Sequence, residues 1–233
     1  ARVLVLGAHE ADITRDKWLT QRFFDSIQVP VPRSWLAEDF NWPDEQVQLF
    51  IKPRVGSAGK NGYHVADRDD LAYALKHVPD PIIQEFVDGP EITNDVICSP
   101  DGEIWSVVSR QRIEVRWGEV AKGKTIHNAQ IMEHCVNIAR ALKAAGPITV
   151  QCMLPEGADQ PLFTEINARY GGGHPLAIAA GASSPHWYLA YAAGMKVEPK
   201  ALGSYQDNLH ITRYDQSYFM DKSQHEHFKN HRL

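Results

Sequence analysis

Gln151, Glu165 and Asn167 put oxygen-bearing side chains into two apolar stretches, 148–154 and 162–167, joined by a turn around 155–160. Leu154 and Leu162 flank that turn symmetrically, so a simple hairpin register pairs residue i with residue 316 − i. Gln151 then faces Glu165, and the two-residue period of a strand places Asn167 on the same sheet face. Directly opposed Cβ atoms stand about 5 Å apart and diagonal ones about 7–8 Å. Three oxygen donors at that spacing suit a hard cation such as Mg2+. A carboxylate among Ile148, Val150, Cys152, Phe163 and Ile166 is costly unless a cation or an ion pair offsets it. Arg169, two residues past Asn167, offers the other solution, a structural Arg–Glu pair.

Three further segments carry groups that bind charge. Gly56-Ser57-Ala58-Gly59-Lys60-Asn61-Gly62 follows the strand-like run 48–52 at once. Glycines there let backbone N–H groups approach phosphate oxygens, and Lys52 and Lys60 add positive charge. Gly59-Lys60 is followed by Asn61, not Ser or Thr, so this is not a P-loop; a solvated hairpin turn is the plainer reading. Gln84-Glu85-Phe86-Val87-Asp88-Gly89-Pro90-Glu91 sets acidic groups at a strand end and across a tight turn. Strand-end backbone can read a purine edge and a carboxylate can accept from ribose hydroxyls, although a plain strand-to-turn junction has the same residues. Arg110, Arg112, Arg116, Lys122 and Lys124 form a basic run suited to phosphates or an acidic substrate. A solvated strand and loop explains the run equally. Arg112, which precedes the turn at Gly118, is the strongest candidate in it. His225, His227 and His231 read as terminal histidines rather than a metal site.

The elements that must position these groups follow from periodicity. Residues 2–7 read as a leading buried strand; Gly7 lacks the further glycines of a dinucleotide fingerprint. Trp18, Leu19, Phe23, Phe24 and Ile27 recur at helical spacing after Asp16-Lys17 and stop before Pro30 and Pro32. Strands are expected at 48–52, 63–65 and 82–87, with a helix through Leu71, Ala74, Leu75 and Val78 capped by Asp69. Residues 92–98 and 104–115 read as two strands joined at Pro100-Asp101-Gly102. The longest helix should span 127–145, because Ile131, Cys135, Ile138, Ala139 and Leu142 share one face and Gly146-Pro147 ends it.

Composition narrows the class. In 233 residues, 43% are hydrophobic and 23% charged, which excludes collagen-like and largely disordered chains. A net charge of −5 leaves no sequence-wide cationic field for nucleic acid or anionic lipid. No apolar run approaches the roughly 18 residues of a membrane span. Three cysteines without a C-x-x-C pair argue against a disulfide framework, so the cytoplasm is the expected compartment.

Taken in order, the motifs resemble the ATP-grasp superfamily, above all the ATP-binding domains of carbamoyl-phosphate synthase large subunits and biotin carboxylase-like ligases. The resemblance runs from Asp16-Lys17 to about Pro185. It is carried by Asp16-Lys17 with Val29-Pro30-Val31-Pro32, by Ile51-Lys52-Pro53-Arg54-Val55-Gly56-Ser57-Ala58-Gly59, by Gln84-Glu85-Phe86-Val87 with Gly89 and Glu91, and by Gln151 with Glu165-Ile166-Asn167-Ala168-Arg169. Gly171-Gly172-Gly173-His174-Pro175 follows. It implies an α+β fold of two lobes with ATP in the cleft between them: 17–88 as the small lobe, 89–216 as the large lobe with the metal site, and 217–233 as a tail. Residues 1–16 would be a remnant of a preceding domain.

The resemblance also implies roles. Lys17 and Lys52 would contact ATP phosphates, with Gly56, Ser57, Ala58 and Gly59 closing over them. Glu85, Phe86 and Val87 would hold adenine and Glu91 the ribose. Gln151, Glu165 and Asn167 would carry one or two Mg2+, with Mn2+ as a substitute. Arg169 would steady charge during phosphoryl transfer, and Arg112, picked from the basic run rather than from the resemblance, is the second catalytic candidate. The implied activity is an ATP-dependent ligase that activates a small-molecule carboxylate as an acyl phosphate for attack by an amine. A small-molecule kinase and a non-catalytic nucleotide-binding module are the alternatives. Nucleic acid and membrane are not expected partners, and a homodimer is an allowed assembly. Two departures stand out: Asn167-Ala168-Arg169 replaces the family's Asn-Pro-Arg, and only sixteen residues precede Lys17 where a Rossmann-like domain is usual. Because the first residue is not Met, the chain is expected to be a trimmed form or a segment of a longer protein.

Overall fold

The computed structural model describes residues 4–43, 47–56, 61–116, 118–158, 160–217 and 219–222. Two antiparallel sheets organise the molecule, each over its own apolar core. The smaller contains β1 (Ser34–Leu36), β2 (Leu49–Pro53), β3 (Tyr63–Val65) and β4 (Pro81–Glu85) in the order β1-β4-β2-β3. In β2, Leu49, Ile51 and Pro53 are buried while Phe50 and Lys52 face the other side, the alternation of a strand with one packed face. Helix α3 (Arg68–His77) covers the packed face, and Ala74 and Val78 join Leu49, Ile51, Val65 and Ile83 in the core. Its N-cap is Asp67, not Asp69: Asp67 Oδ1 accepts from the backbone N–H groups of Asp69 and Asp70, each at 2.9 Å.

The larger sheet contains β5 (Glu91–Cys98), β6 (Ile104–Arg116), β7 (Glu119–Ile126), β8 (Pro147–Met153), β9 (Leu162–Asn167) and β10 (His210–Thr212) in the order β10-β7-β6-β5-β8-β9. Helix α4 (Ala129–Ala141) lays Ile131, Cys135, Ile138 and Ala139 on one face of it. Asn128 caps that helix, which is shorter than the 127–145 expected. Helices α5 (His174–Ala179) and α6 (Ser184–Ala192) lie beyond β9 in the chain.

The amino-terminal segment differs from expectation. Of the expected strand 2–7, residues 2 and 3 lie outside the described residues and 4–7 form no strand; Val5 is 64% exposed, and among the described residues no strand edge pairs with it. Helix α1 (Ala8–Arg15) follows, then α2 (Lys17–Ser26), whose Phe24 is fully buried and packs ring to ring on Phe163 of β9 at 6.0 Å. Helix α2 therefore belongs with the core of the larger sheet rather than with the small lobe, because its apolar face meets β9. The histidines at 225, 227 and 231 lie outside the described residues, as do Ser57, Ala58, Gly59 and Lys60. No helix among the described residues is long and apolar enough to cross a membrane. The three cysteines are buried and free.

Candidate active site

A cavity of about 750 Å3 lies between the two sheets, with walls from both. On the small-sheet side, strand alternation turns Phe50 and Lys52 into it. Lys52 Nζ donates to Gln84 Oε1 at 3.0 Å. Burial in the cleft lowers the Lys52 ammonium to about 8; the Glu165 and Glu91 carboxylates support its charge and Lys17 opposes it. Lys17 arrives from α2. Asp16 caps that helix through the N–H groups of Trp18 and Leu19, at 2.9 and 3.4 Å. The same carboxylate takes a fork from Arg54, Nε to Oδ1 at 3.2 Å and Nη2 to Oδ2 at 2.5 Å. Burial raises the Asp16 carboxyl, but Arg54 and the capped N–H groups together hold it below the ordinary range. The result fixes Lys17, whose Nζ donates to Gly56 O at 3.0 Å, at the start of the glycine-rich segment.

The oxygen trio comes together on the opposite wall. Gln151 pairs with Glu165 and Thr149 with Asn167, both on the 316 − i register. Between Gln151 and Cys152 the register shifts by one, so Cys152 pairs with Phe163. This bulge lies on the turn side of the trio and leaves its inner face intact. Asn167 Nδ2 donates to Gln151 Oε1 at 3.3 Å and to Glu165 Oε1 at 3.1 Å. Gln151 Nε2 donates to Glu91 Oε1. These amide and carboxylate oxygens, gathered on one face across from two lysines, have the donor chemistry of a hard divalent cation site. Among the described residues no group of three His, Cys, Asp or Glu could hold a metal, so such a site depends on the two amides.

The remaining candidates divide. Glu85, Phe86, Val87 and Glu91 line the cavity at the junction between the sheets. Glu85 is paired with Arg33, Nε to Oε2 at 3.1 Å, and its backbone N–H donates to Arg33 O at 2.8 Å. Strand β4 ends at Glu85, short of the expected 87. Arg112 donates to Glu91 Oε1 at 2.7 Å and to Gly118 O at 3.0 Å. Arg169 lines the cavity with an exposed side chain, and its Nη1 donates to Tyr170 O at 3.0 Å. Of the basic run, Arg110 and Arg112 reach the cavity, while Arg116 and Lys122 pair with Glu114 at 2.8 and 2.6 Å.

One buried assembly escaped the motif reading. Asp95, 1% exposed in the central strand β5, receives Arg110 Nε at Oδ2 (2.5 Å) and Nη2 at Oδ1 (3.1 Å). His174 Nδ1 stands 3.4 Å from Asp95 Oδ1, and its Nε2 lies 2.8 Å from Ser184 Oγ. Burial raises the Asp95 carboxyl, but Arg110 and His174 outweigh it and keep it ionised. An acidic residue inside the apolar run 92–98 is the signal that would have found this assembly, since a buried charge requires a partner.

A sequence profile of the ATP-grasp domain matches residues 14–173. A D-alanine–D-alanine ligase of Marinomonas sp. is 38% identical over 94 residues, 36% of this chain and 30% of that protein. Among solved structures, a biotin carboxylase of Campylobacter jejuni superimposes with a TM-score of 0.70 at 17% identity, covering 89% of this chain and 52% of that one. An L-amino acid ligase of Bacillus licheniformis does so with a TM-score of 0.61 at 19% identity, covering 78% and 48%. The chain spans less than half the length of the curated relatives it matches. With the profile covering well over half of its residues and two antiparallel lobes enclosing a cleft, the chain belongs to the ATP-grasp family.

Proposed function

We propose that this chain forms the ATP site of a Mg2+-dependent ligase that activates a small-molecule carboxylate for attack by an amine. The observation that carries the reading is the pairing across one cleft of Lys17 and Lys52 with the Gln151–Glu165–Asn167 face. The relatives support it, since those named above include a D-alanine–D-alanine ligase and an L-amino acid ligase. In this reading Lys17, Lys52 and Gly56 neighbour the phosphates, Phe86 and the backbone of Glu85 and Val87 hold adenine, and Glu91 takes the ribose. Glu91 would exchange its contacts to Arg112 and Gln151 for the sugar. Gln151, Glu165 and Asn167 would hold Mg2+, which neutralises phosphate charge when bound.

A substrate carboxylate oxygen attacks the γ-phosphorus as the bond to the β-phosphate oxygen breaks and ADP leaves. Arg169 and the lysines stabilise the spreading charge, so no protein nucleophile is required. The amine then attacks the acyl carbon, inorganic phosphate departs, and the amine proton passes to solvent. Hydroxylamine added with ATP, Mg2+ and a panel of carboxylates should therefore yield a hydroxamate together with ADP. Glu165→Ala should lower ADP release by about 10²–10³-fold while nucleotide binding without Mg2+ persists. ADP release that never yields a hydroxamate, or full turnover by that variant, would refute the reading.

A further inference from the structure

Two charged side chains at the cavity wall are left over by these nucleotide assignments. Arg110 is 2% exposed, and Asp95 occupies its Nε and Nη2. A guanidinium presents five donors in one plane; Nη1 makes no hydrogen bond among the described residues, and the side chain lines the cavity. Glu119, at the start of β7, lines the same cavity; Arg213 approaches its Oε2 at 3.6 Å.

Consecutive glycines report how closely both approach. A Cβ on Gly173 would stand 2.1 Å from Arg110 Nη1, and one on Gly172 would stand 1.6 Å from Glu119 Oε2. None of Gly171, Gly172 and Gly173 has a positive φ. At Gly173 a side chain would also meet Val120 Cγ1 at 2.8 Å, so the buried wall would have to move, whereas at Gly172 the exposed Glu119 carboxylate can swing aside. The free guanidinium nitrogen lies against one residue and a carboxylate oxygen against the residue before it. Asp95 cancels most of the charge of Arg110, which suits a singly charged planar carboxylate better than a polyphosphate. The glycines begin two residues beyond Arg169 and line the same cavity as Gln151, Glu165 and Asn167.

From this juxtaposition we propose that Arg110 and Glu119 form a subsite for a free α-amino acid. Arg110 Nη1 donates to its carboxylate and Glu119 accepts from its ammonium. The inference rests on the ligase reading and assigns this amino acid as the carboxylate partner. An ammonium held on Glu119 stays protonated and cannot be the attacking amine. The carboxylate oxygen not held by Arg110 is free to attack the γ-phosphorus, with ADP as the leaving group. Asp95 and His174 act through Arg110 as positioning residues.

Arginine-selective 15N NMR of the full chain tests this directly, with the Arg110 guanidinium signal identified by its loss in Arg110→Lys. The probes are each of the twenty standard amino acids, D-alanine, and inorganic phosphate. At least one amino acid should shift the Arg110 signal, and its methyl ester should not. Arg110→Lys should weaken that amino acid about tenfold or more while ADP affinity is retained. Glu119→Gln, a change at an exposed position, should weaken the free amino acid about tenfold and leave its N-acetyl form unaffected. No shift with any amino acid, a shift with phosphate alone, or unaltered affinity in Glu119→Gln would overturn the subsite. An amino acid that moves Arg110 without any hydroxamate forming would leave the subsite standing and refute the ligase. Hydroxamate formed from other acids with Arg110 unmoved would do the reverse.

Discussion

Lys52 shows how the cleft sets the chemistry of a single group. Its strand turns it away from the small core, its amine is held by Gln84, and burial between the lobes lowers its pKa to about 8. The free protein therefore holds Lys52 mostly charged at neutral pH and releases its proton as pH rises through about 8. Phosphates placed against Lys52, as proposed, favour the charged form and raise that pKa, so binding takes up a proton when the free lysine has lost it. ADP affinity should consequently fall by up to about tenfold per pH unit above 8. Calorimetry at pH 8.5 in buffers of different ionisation enthalpy should register proton uptake, and Lys52→Gln should abolish it. An affinity that does not change between pH 7 and 9 would remove Lys52 from the phosphate contacts.

At the scale of elements, the junction between the sheets rests on Gly89. Its φ of 147° lies where side chains rarely go, and a Cβ there would stand 2.8 Å from both Leu154 O and Pro155 Cα, which are backbone atoms. Neither atom can yield without moving the β8–β9 connection. Gly89→Ala should cost about 1–3 kcal/mol in urea unfolding. It should also weaken ADP binding, because Glu85 and Glu91 on either side would change their relation; a neutral result would show the junction to be pliant. The expected boundary at Asp88-Gly89-Pro90 rests on the passage from a helix-and-strand half to a hairpin-rich half, and the β8–β9 register followed from two flanking leucines as far as Gln151. The one-residue shift beyond it was invisible, since a bulge changes no residue type. Strand β7 was hidden by its composition: Lys122 and Lys124 bracket Gly123, whose place is set by a close approach to Gln111 O that only pairing reveals. Helix α1 lacks buried residues and so has no apolar stripe to read. The site motifs were legible because strand alternation forces Gln151, Glu165 and Asn167 to one face. The Asp95–Arg110–His174 assembly was not, because its members lie 15 and 79 residues from Asp95 in sequence and meet only through β5–β6 pairing and the glycine loop.

For the whole molecule, the decisive feature is that the two lobes are built on separate cores and share the walls of one cavity. Lys52 and Gln84 stand on the small-sheet side, where Lys17 reaches Gly56 from helix α2, and Glu91, Gln151, Glu165 and Asn167 stand on the other. A nucleotide that touches both sides binds only when the lobes are folded and apposed, so its binding energy adds to the stability of both. At 100 times its dissociation constant, Mg2+–ADP should stabilise the chain by about 2.7 kcal/mol. For a chain of this length that corresponds to a rise of about 5–11 °C in Tm. On the proposed metal site, the metal part of that rise would belong to the large-sheet face alone. Glu165→Ala should therefore reduce the shift with Mg2+–ADP to the smaller value seen with ADP and a chelator. Differential scanning calorimetry distinguishes the cases. If the wild-type shift were the same with Mg2+ as with chelator, the oxygen trio would not be the cation site. If instead only one of two resolved transitions moved on adding Mg2+–ADP, the nucleotide would contact a single lobe.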